Sequence, residues 1–326
     1  NFKRQLPTKW VTFACQLTLI GMMSFNYPPT ALMFFAPLAM FDYDTALYLW
    51  ISVGVFGFVA VMQMLIKNWL VTIIACGSPL FLWGLATGQT GLISAAILVA
   101  GYLVRERGNP FLAGLVFGCL IFKPHMALAL PFCFIATRDW KVILGGIASA
   151  ISIIIMSYCI FGAEAWVEFF ASFSDNSSYN LMVKSQLYER IPSIFVTALG
   201  FFHTLTLAIS MHVIGSLLAI AVCIHIWRTS NDHFAKLTCL FITPALISPY
   251  FFDYDLASVG ILFGLLLLET IRKKQLDWHF IALLGIWLMG ISIFTTRLNG
   301  LSLGPVFLIG LMIYAILRTR EENHEK

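Results

Sequence analysis

The stretch "LTCLFITPALISPYFFDYDLASVGILFGLLLLE" (residues 237–269) reads as two apolar runs separated by a short acidic break at Asp253 and Asp255. Runs of this kind recur along the whole chain. Of its 326 residues 60% are hydrophobic and only 11% charged, with 29 Phe and 9 Trp. A water-soluble globule keeps a polar-rich surface and cannot hide this much apolar side chain. Lipid is therefore the solvent for most of the chain. The expected fold is all-α, a polytopic transmembrane helical bundle forming a single integral membrane domain over 1–326.

Polar breaks divide the chain into eleven candidate crossings: 45–66, 70–86, 90–104, 109–122, 125–137, 141–162, 203–227, 234–248, 255–271, 278–296 and 300–317. Several are only 14 or 15 residues long, about 21 Å of helix, against a hydrocarbon core of about 30 Å. Short runs of this sort predict helix tips that dip toward a cavity, where protein or water covers irregular backbone. Residues 1–44 are expected to form the end of a first outer loop with short interfacial helices, and 163–202 a long outer loop. Within the latter, Glu164–Phe173 alternates acid with Trp and Phe, as a helix lying at the interface does.

Basic residues test the alternation. If Lys67, Arg105, Arg107, Arg138, Lys141, Arg228, Lys236, Arg272–Lys274, Arg318, Arg320 and Lys326 face the cytoplasm, 13 of the 20 Lys and Arg lie inside and recur at every second loop, as the positive-inside rule requires. Eleven crossings that start outside and end inside predict a further helix upstream, in keeping with a first residue that is Asn rather than Met. The net charge of +4 points to no nucleic-acid partner. The seven Cys lie mostly inside apolar runs and suggest neither a disulfide framework nor a thiolate metal site. His203, His212 and His225 read as interfacial or packing residues, and no spacing resembles a zinc site.

With this layout the intramembrane polar groups fall on the outer side: Gly88–Gln89–Thr90–Gly91, Lys123–Pro124–His125, Asp253–Tyr254–Asp255, and the long loops with Tyr27–Pro28–Pro29 and Lys184 through Arg190. A charge at mid-membrane costs about 2.5–3.5 kcal/mol even on lenient insertion scales, so each needs a partner or a wet cavity. Their convergence predicts one water-accessible site at the outer face.

The motifs "NYPPTALMFFAPLA", "GQTGLISAAIL", "AGLVFGCLIFKPHMALALP", "FGAEAWVEFFASF", "MVKSQLYERIPSIFVTALG" and "SPYFFDYDL", in this order, resemble glycosyltransferase family 87. These are membrane enzymes of the GT-C superfamily that use polyprenyl-phosphate sugars, best known as alpha-1,2-mannosyltransferases. The resemblance runs from about Asn26 to about Leu256. It implies inverting transfer of mannose, or a similar hexose or pentose, from a polyprenyl-phosphate donor to a hydroxyl of a glycolipid or glycan. The implied setting is the bacterial cytoplasmic membrane with the active site facing the periplasm. No cofactor or metal is implied; the bilayer, the lipid-linked sugar and the acceptor are the partners.

The resemblance also implies site roles. Lys123 and His125 would hold the donor phosphate. Asp255 and Asp253 would orient a sugar hydroxyl and assist proton removal. Gln89, Gly88, Tyr27, Tyr254 and Arg190 would line the substrate cleft. The family's expected base, an Asp ahead of the "YPP" element, has no counterpart in residues 1–26, which contain neither Asp nor Glu; it is expected upstream of residue 1, and without it the expectation is an inactive protein. Where the actinobacterial branch carries a helper His after "SP", this chain has Tyr254 and Asp255. A transporter or lipid-linked-sugar flippase is the competing reading, since buried Lys and Asp also line ion and substrate paths. Against it, no paired repeat is evident and the charges favour one leaflet over the midplane.

Overall fold

The computed structural model describes residues 27–174, 190–273, 278–299 and 302–324. The apolar and basic segment 1–26 and the stretch 175–189, including Lys184, lie outside the described residues. Every regular element among the described residues is helical.

The chain opens with α1 (Pro29–Phe35), set by a proline at its first turn, and a 3-10 segment Ala36–Met40. Proline at the first helical position loses only an N–H that would have no partner there. α2 (Tyr43–Ile66) is capped by Asp42, whose side chain accepts from the Thr45 amide at 3.1 Å. The Thr45 hydroxyl and then its amide donate to this carboxylate and hold it below the usual carboxylate range. The predicted run 70–86 is not one rod. It is α3 (Trp69–Cys76) and α4 (Pro79–Thr87), bent by 62°, because the Gly77–Ser78 break and Pro79 interrupt the hydrogen-bond ladder between them.

α5 (Gly91–Glu106) follows, then α6 (Pro110–Gly118), which tightens into a 3-10 turn over Cys119–Phe122. Lys123 breaks the path; a second 3-10 turn (Pro124–Ala127) and α7 (Leu130–Ala136) complete it. α8 (Trp140–Ser174) contains a left-handed Gly162 with φ 82°, so residues 163–174 leave the direction of the first stretch. There Trp166 packs edge-on against Phe169 at 6.3 Å between ring centres. The rest is α9 (Ile194–Phe202), α10 (Leu205–Thr229), α11 (His233–Ile247), a 3-10 turn Asp253–Ser258, α12 (Val259–Lys273), α13 (Trp278–Asn299) and α14 (Gly304–His324).

Among the described residues four helices are long and apolar enough to cross a membrane: Tyr43–Ile66, Trp140–Ala171, Leu205–Thr229 and Asp253–Lys273. The bent pair α3–α4 makes a fifth if it counts as one span. The last of the four is the centre of the bundle, 72% buried against 11% for Trp140–Ala171. The outer faces of α2, α8 and α10 carry Phe56, Ile151, Ile155, Leu217 and Leu218 in the open, as lipid-facing surfaces do. Helices touch through small residues: a Cβ on Gly114 would sit 2.1 Å from the Val142 carbonyl oxygen, and one on Gly145 2.2 Å from that of Phe111. So α6 and α8 meet backbone to backbone. Three thiols from different helices also meet, with Cys133 Sγ 3.3 Å from Cys223 Sγ and Cys239 beside them. A spacing of 90 residues hides that contact from the sequence.

Two polar clusters lie at opposite ends of α5. Near its C-terminus Arg105 binds Asp139 (Nε–Oδ2 2.8 Å) and lies over Trp227. Tyr102, one turn earlier, bonds to His233 at 2.5 Å. Beside His233, Asp232 joins Arg318 at 2.6 Å, and Arg318 joins Glu269 at 2.6 Å. At the N-terminus of α5 sits the second cluster.

Candidate functional site

Five segments that would be unrelated on a linear reading meet at Gly91. Gly88 ends α4 in the left-handed region (φ 59°), a conformation that costs glycine nothing, and turns Gln89 and Thr90 inward. Gly91 then begins α5 where no side chain fits: a Cβ would stand 2.0 Å from the Tyr254 carbonyl oxygen. The absent side chain lets the 253–258 turn close directly on the start of α5.

Lys123 sits between two 3-10 turns in a non-helical conformation (φ −142°, ψ 72°), since the ring of Pro124 disfavours helical backbone at the residue before it. The break sends its side chain inward. Nζ binds Asp255 Oδ1 in a short contact and donates to Thr90 Oγ1 at 2.9 Å. Only 3% of the Lys123 side chain and none of Asp255 is exposed. The second Asp255 oxygen faces His125 Nε2 at 3.4 Å. His125 is open by comparison, 28% exposed, with its ring edge-on to Phe251.

A second ion pair stands beside the first. Arg190, four residues before α9, grips Asp253 with both arms: Nε to Oδ2 at 3.2 Å and Nη2 to Oδ1 at 3.0 Å. Asp253 Oδ1 also accepts the Tyr254 amide at 2.7 Å. The Tyr254 ring lies between the pairs, 4.7 Å from Lys123 Nζ and 5.6 Å from the Arg190 guanidinium carbon, and stacks on Phe252. Trp83 of α4 lies 5.4 Å from the same guanidinium. Tyr27 completes the rim. Its hydroxyl donates to Gln89 Oε1 at 3.2 Å and lies 3.2 Å from Thr90 Oγ1, while its ring is 5.6 Å from Lys123 Nζ.

Lys123, His125, Asp253, Tyr254, Asp255, Gln89, Gly88, Tyr27 and Arg190 are thus brought to one end of the bundle. Two cations and two carboxylates are matched there, which removes most of the penalty of burying each alone. Sequence reading gave three contributors no role. Thr90 was grouped with its neighbours in the polar tip "GQTG" but assigned nothing, although it accepts from Lys123. Trp83 looked like one more apolar residue of its run. Gly91 had no signal beyond being a glycine beside a polar pair. The pairing itself was equally out of sight, because the two acids look equivalent in "FDYD" and yet take different cations.

A protein-family model described as Glycosyltransferase family 87 matches residues 25–249. No curated protein and no solved structure matches the chain.

Proposed function

The chain belongs to glycosyltransferase family 87, whose members are membrane glycosyltransferases, and from that premise we propose that it transfers a sugar from a polyprenyl-phosphate donor to an acceptor hydroxyl, with inversion, on the periplasmic face of a bacterial inner membrane. The observation that carries this reading is the buried Lys123–Asp255 pair with Thr90, His125, Gln89 and Tyr27 around it.

Inverting transfer needs a cation where the phosphate departs and an acceptor where the attacking hydroxyl loses its proton. An ammonium has three N–H donors. Asp255 and Thr90 take two of those on Lys123, which leaves a third for a phosphate oxygen. As negative charge builds on the departing phosphate, that hydrogen bond strengthens, and the surrounding low dielectric enlarges the effect. Gln89 and Tyr27 offer neutral partners to sugar hydroxyls. Arg190 and Asp253, paired with each other, flank Tyr254 and make it a wall. Mannose, another hexose or a pentose fits this chemistry, and the acceptor is a glycolipid or glycan hydroxyl.

Purified full-length protein in lipid nanodiscs, given polyprenyl-phosphate mannose, glucose or arabinose with a glycolipid acceptor, should release polyprenyl phosphate only when the acceptor is present. Movement of the intact lipid-linked sugar across proteoliposomes without release would replace the transferase by a flippase.

A further inference from the structure

Three cations are buried among the described residues, Lys123, Arg190 and Lys236. Lys123 is paired with Asp255 and Arg190 with Asp253. Lys236 is 7% exposed and has neither a hydrogen bond nor an ion pair among the described residues; its ammonium lies 5.9 Å from the centre of the Trp227 ring. A buried charge without a counterpart is costly. Its position adds to the cost, because Lys236 stands in the first turn of α11, where the helix dipole opposes a cation and draws an anion.

A second cation shares the same indole. The Arg105 guanidinium carbon lies 5.4 Å from the centre of the Trp227 ring. Arg105 gives Nε to Asp139 and Nη1 to Glu106, each at 2.8 Å, and Nη2 is left without a partner among the described residues. Trp227 Nε1 is a third donor with no acceptor. The acids that act on Lys236 are Glu106, Glu322 and Asp232, and each is already engaged. Arg105 holds Glu106, Arg318 holds Asp232, and the Ser230 hydroxyl and Asn231 amide donate to Glu322. Two like charges beside one ring, with donors unspent, call for a ligand rich in lone pairs.

We propose that Lys236, Arg105 and Trp227 hold a phosphate group at the end of the bundle opposite the candidate site. A phosphate brings several acceptor oxygens to an ammonium and to the edge of a guanidinium. Its source is the headgroup of an anionic phospholipid or inorganic phosphate from solution. The surroundings favour the lipid. Asp139 leads directly into the span Trp140–Ala171, which is only 11% buried, so acyl chains lie alongside. Trp140, Arg138, Lys141 and Arg228 are exposed around the same end, as aromatic and basic residues are at headgroup level.

The test uses the full-length protein and reads no turnover, so it stands apart from the transferase reading. Native mass spectrometry of protein released from phosphatidylcholine nanodiscs containing a minority of phosphatidylglycerol measures retained lipid. Unfolding midpoints in pure phosphatidylcholine nanodiscs, with inorganic phosphate or with chloride at equal ionic strength, measure the soluble anion, since binding to the folded state raises the midpoint. Wild-type protein should retain phosphatidylglycerol about tenfold better than Lys236→Met, the loss expected for a charged hydrogen bond. Retention without a midpoint shift assigns the site to a headgroup, a shift without retention assigns it to free phosphate, and both together support it. Lys236→Met sheds an unpaired buried charge and is expected to fold; Lys236→Gln makes the same comparison with a second side chain. Arg228→Met, on the exposed rim, should leave retention nearly unchanged. Equal responses in wild type and both Lys236 variants overturn the inference. So does wild-type protein that responds to neither anion, or an Arg228→Met loss as large as that of Lys236→Met.

Discussion

Lys123 and Asp255, 132 positions apart in the chain, form an ion pair from which solvent is excluded. Each is the other's reason for tolerating burial. Truncating one therefore does more than empty a substrate contact. Lys123→Ala should abolish turnover and also cost about 3–5 kcal/mol of stability, the usual penalty for stranding a buried charge. The double variant Lys123→Met with Asp255→Asn should recover most of the lost thermal stability and none of the activity. Unfolding midpoints in one detergent check this; a single variant as stable as wild type would show that the pair is not sealed.

Arg190 and Asp253 make a two-armed contact, so Arg190→Lys is not a conservative change. A lysine offers a point charge in place of a planar fork. The variant should lower the unfolding midpoint nearly as much as Arg190→Met does. An unchanged midpoint for the lysine variant would mean that charge alone suffices.

Gly91 has no room for a methyl group against the Tyr254 carbonyl. Gly91→Ala should displace the 253–258 turn, lose activity and destabilise the fold. Gly310, exposed on α14 with nothing within 4 Å of an added Cβ, supplies the control. Gly310→Ala should be neutral or stabilising by about 0.5–1 kcal/mol, the helical advantage of alanine. Equal effects at the two positions would contradict the close approach.

Arg318 ties α14 to Asp232 ahead of α11 and to Glu269 on α12. Arg318→Met leaves two partly buried carboxylates facing each other, whereas Glu269→Gln removes one charge and keeps a hydrogen-bond acceptor. The first should lower the unfolding midpoint well beyond the second, and neither should alter donor specificity, because both lie at the far end of α5.

Asp42 caps α2 from an exposed position, and its carboxyl is held below its ordinary range by Thr45. A carboxyl with a depressed folded value stabilises above its unfolded value of about 3.9 and loses that contribution as pH falls through the folded value. Asp42→Ala should therefore lower the unfolding midpoint at pH 7 by more than at pH 3. A gap that stays constant between the two would exclude the charged cap.

Much of the helical layout was legible in the sequence because lipid leaves one pattern open, an apolar run ended by polar or proline breaks. Each of the eleven predicted runs overlaps a helix or a bent helical pair. The bends were not legible. Whether Gly77–Ser78 interrupts a helix or merely kinks it depends on what packs against the broken turn. At the site, Lys123 and the 253–255 acids stood out because charge in an apolar setting demands an explanation. Their partners did not, since Thr90 and Trp83 acquire meaning only from neighbours dozens of residues away. The choice of Arg190 for Asp253 and Lys123 for Asp255 is likewise a property of the folded bundle.

α5 joins the two polar clusters with sixteen residues, a rise of about 24 Å, several ångströms less than an ordinary hydrocarbon slab of about 30 Å. Local thinning of the bilayer is one way a hydrophobic stretch that falls short of the hydrocarbon is accommodated. Headgroups would sink with the dimple, so a long-chain lipid can bring its polar end down to Lys123 while its tail stays among other tails. For the lipid-linked donor proposed above, a strut this short leaves little depth to cover before its phosphate meets Lys123.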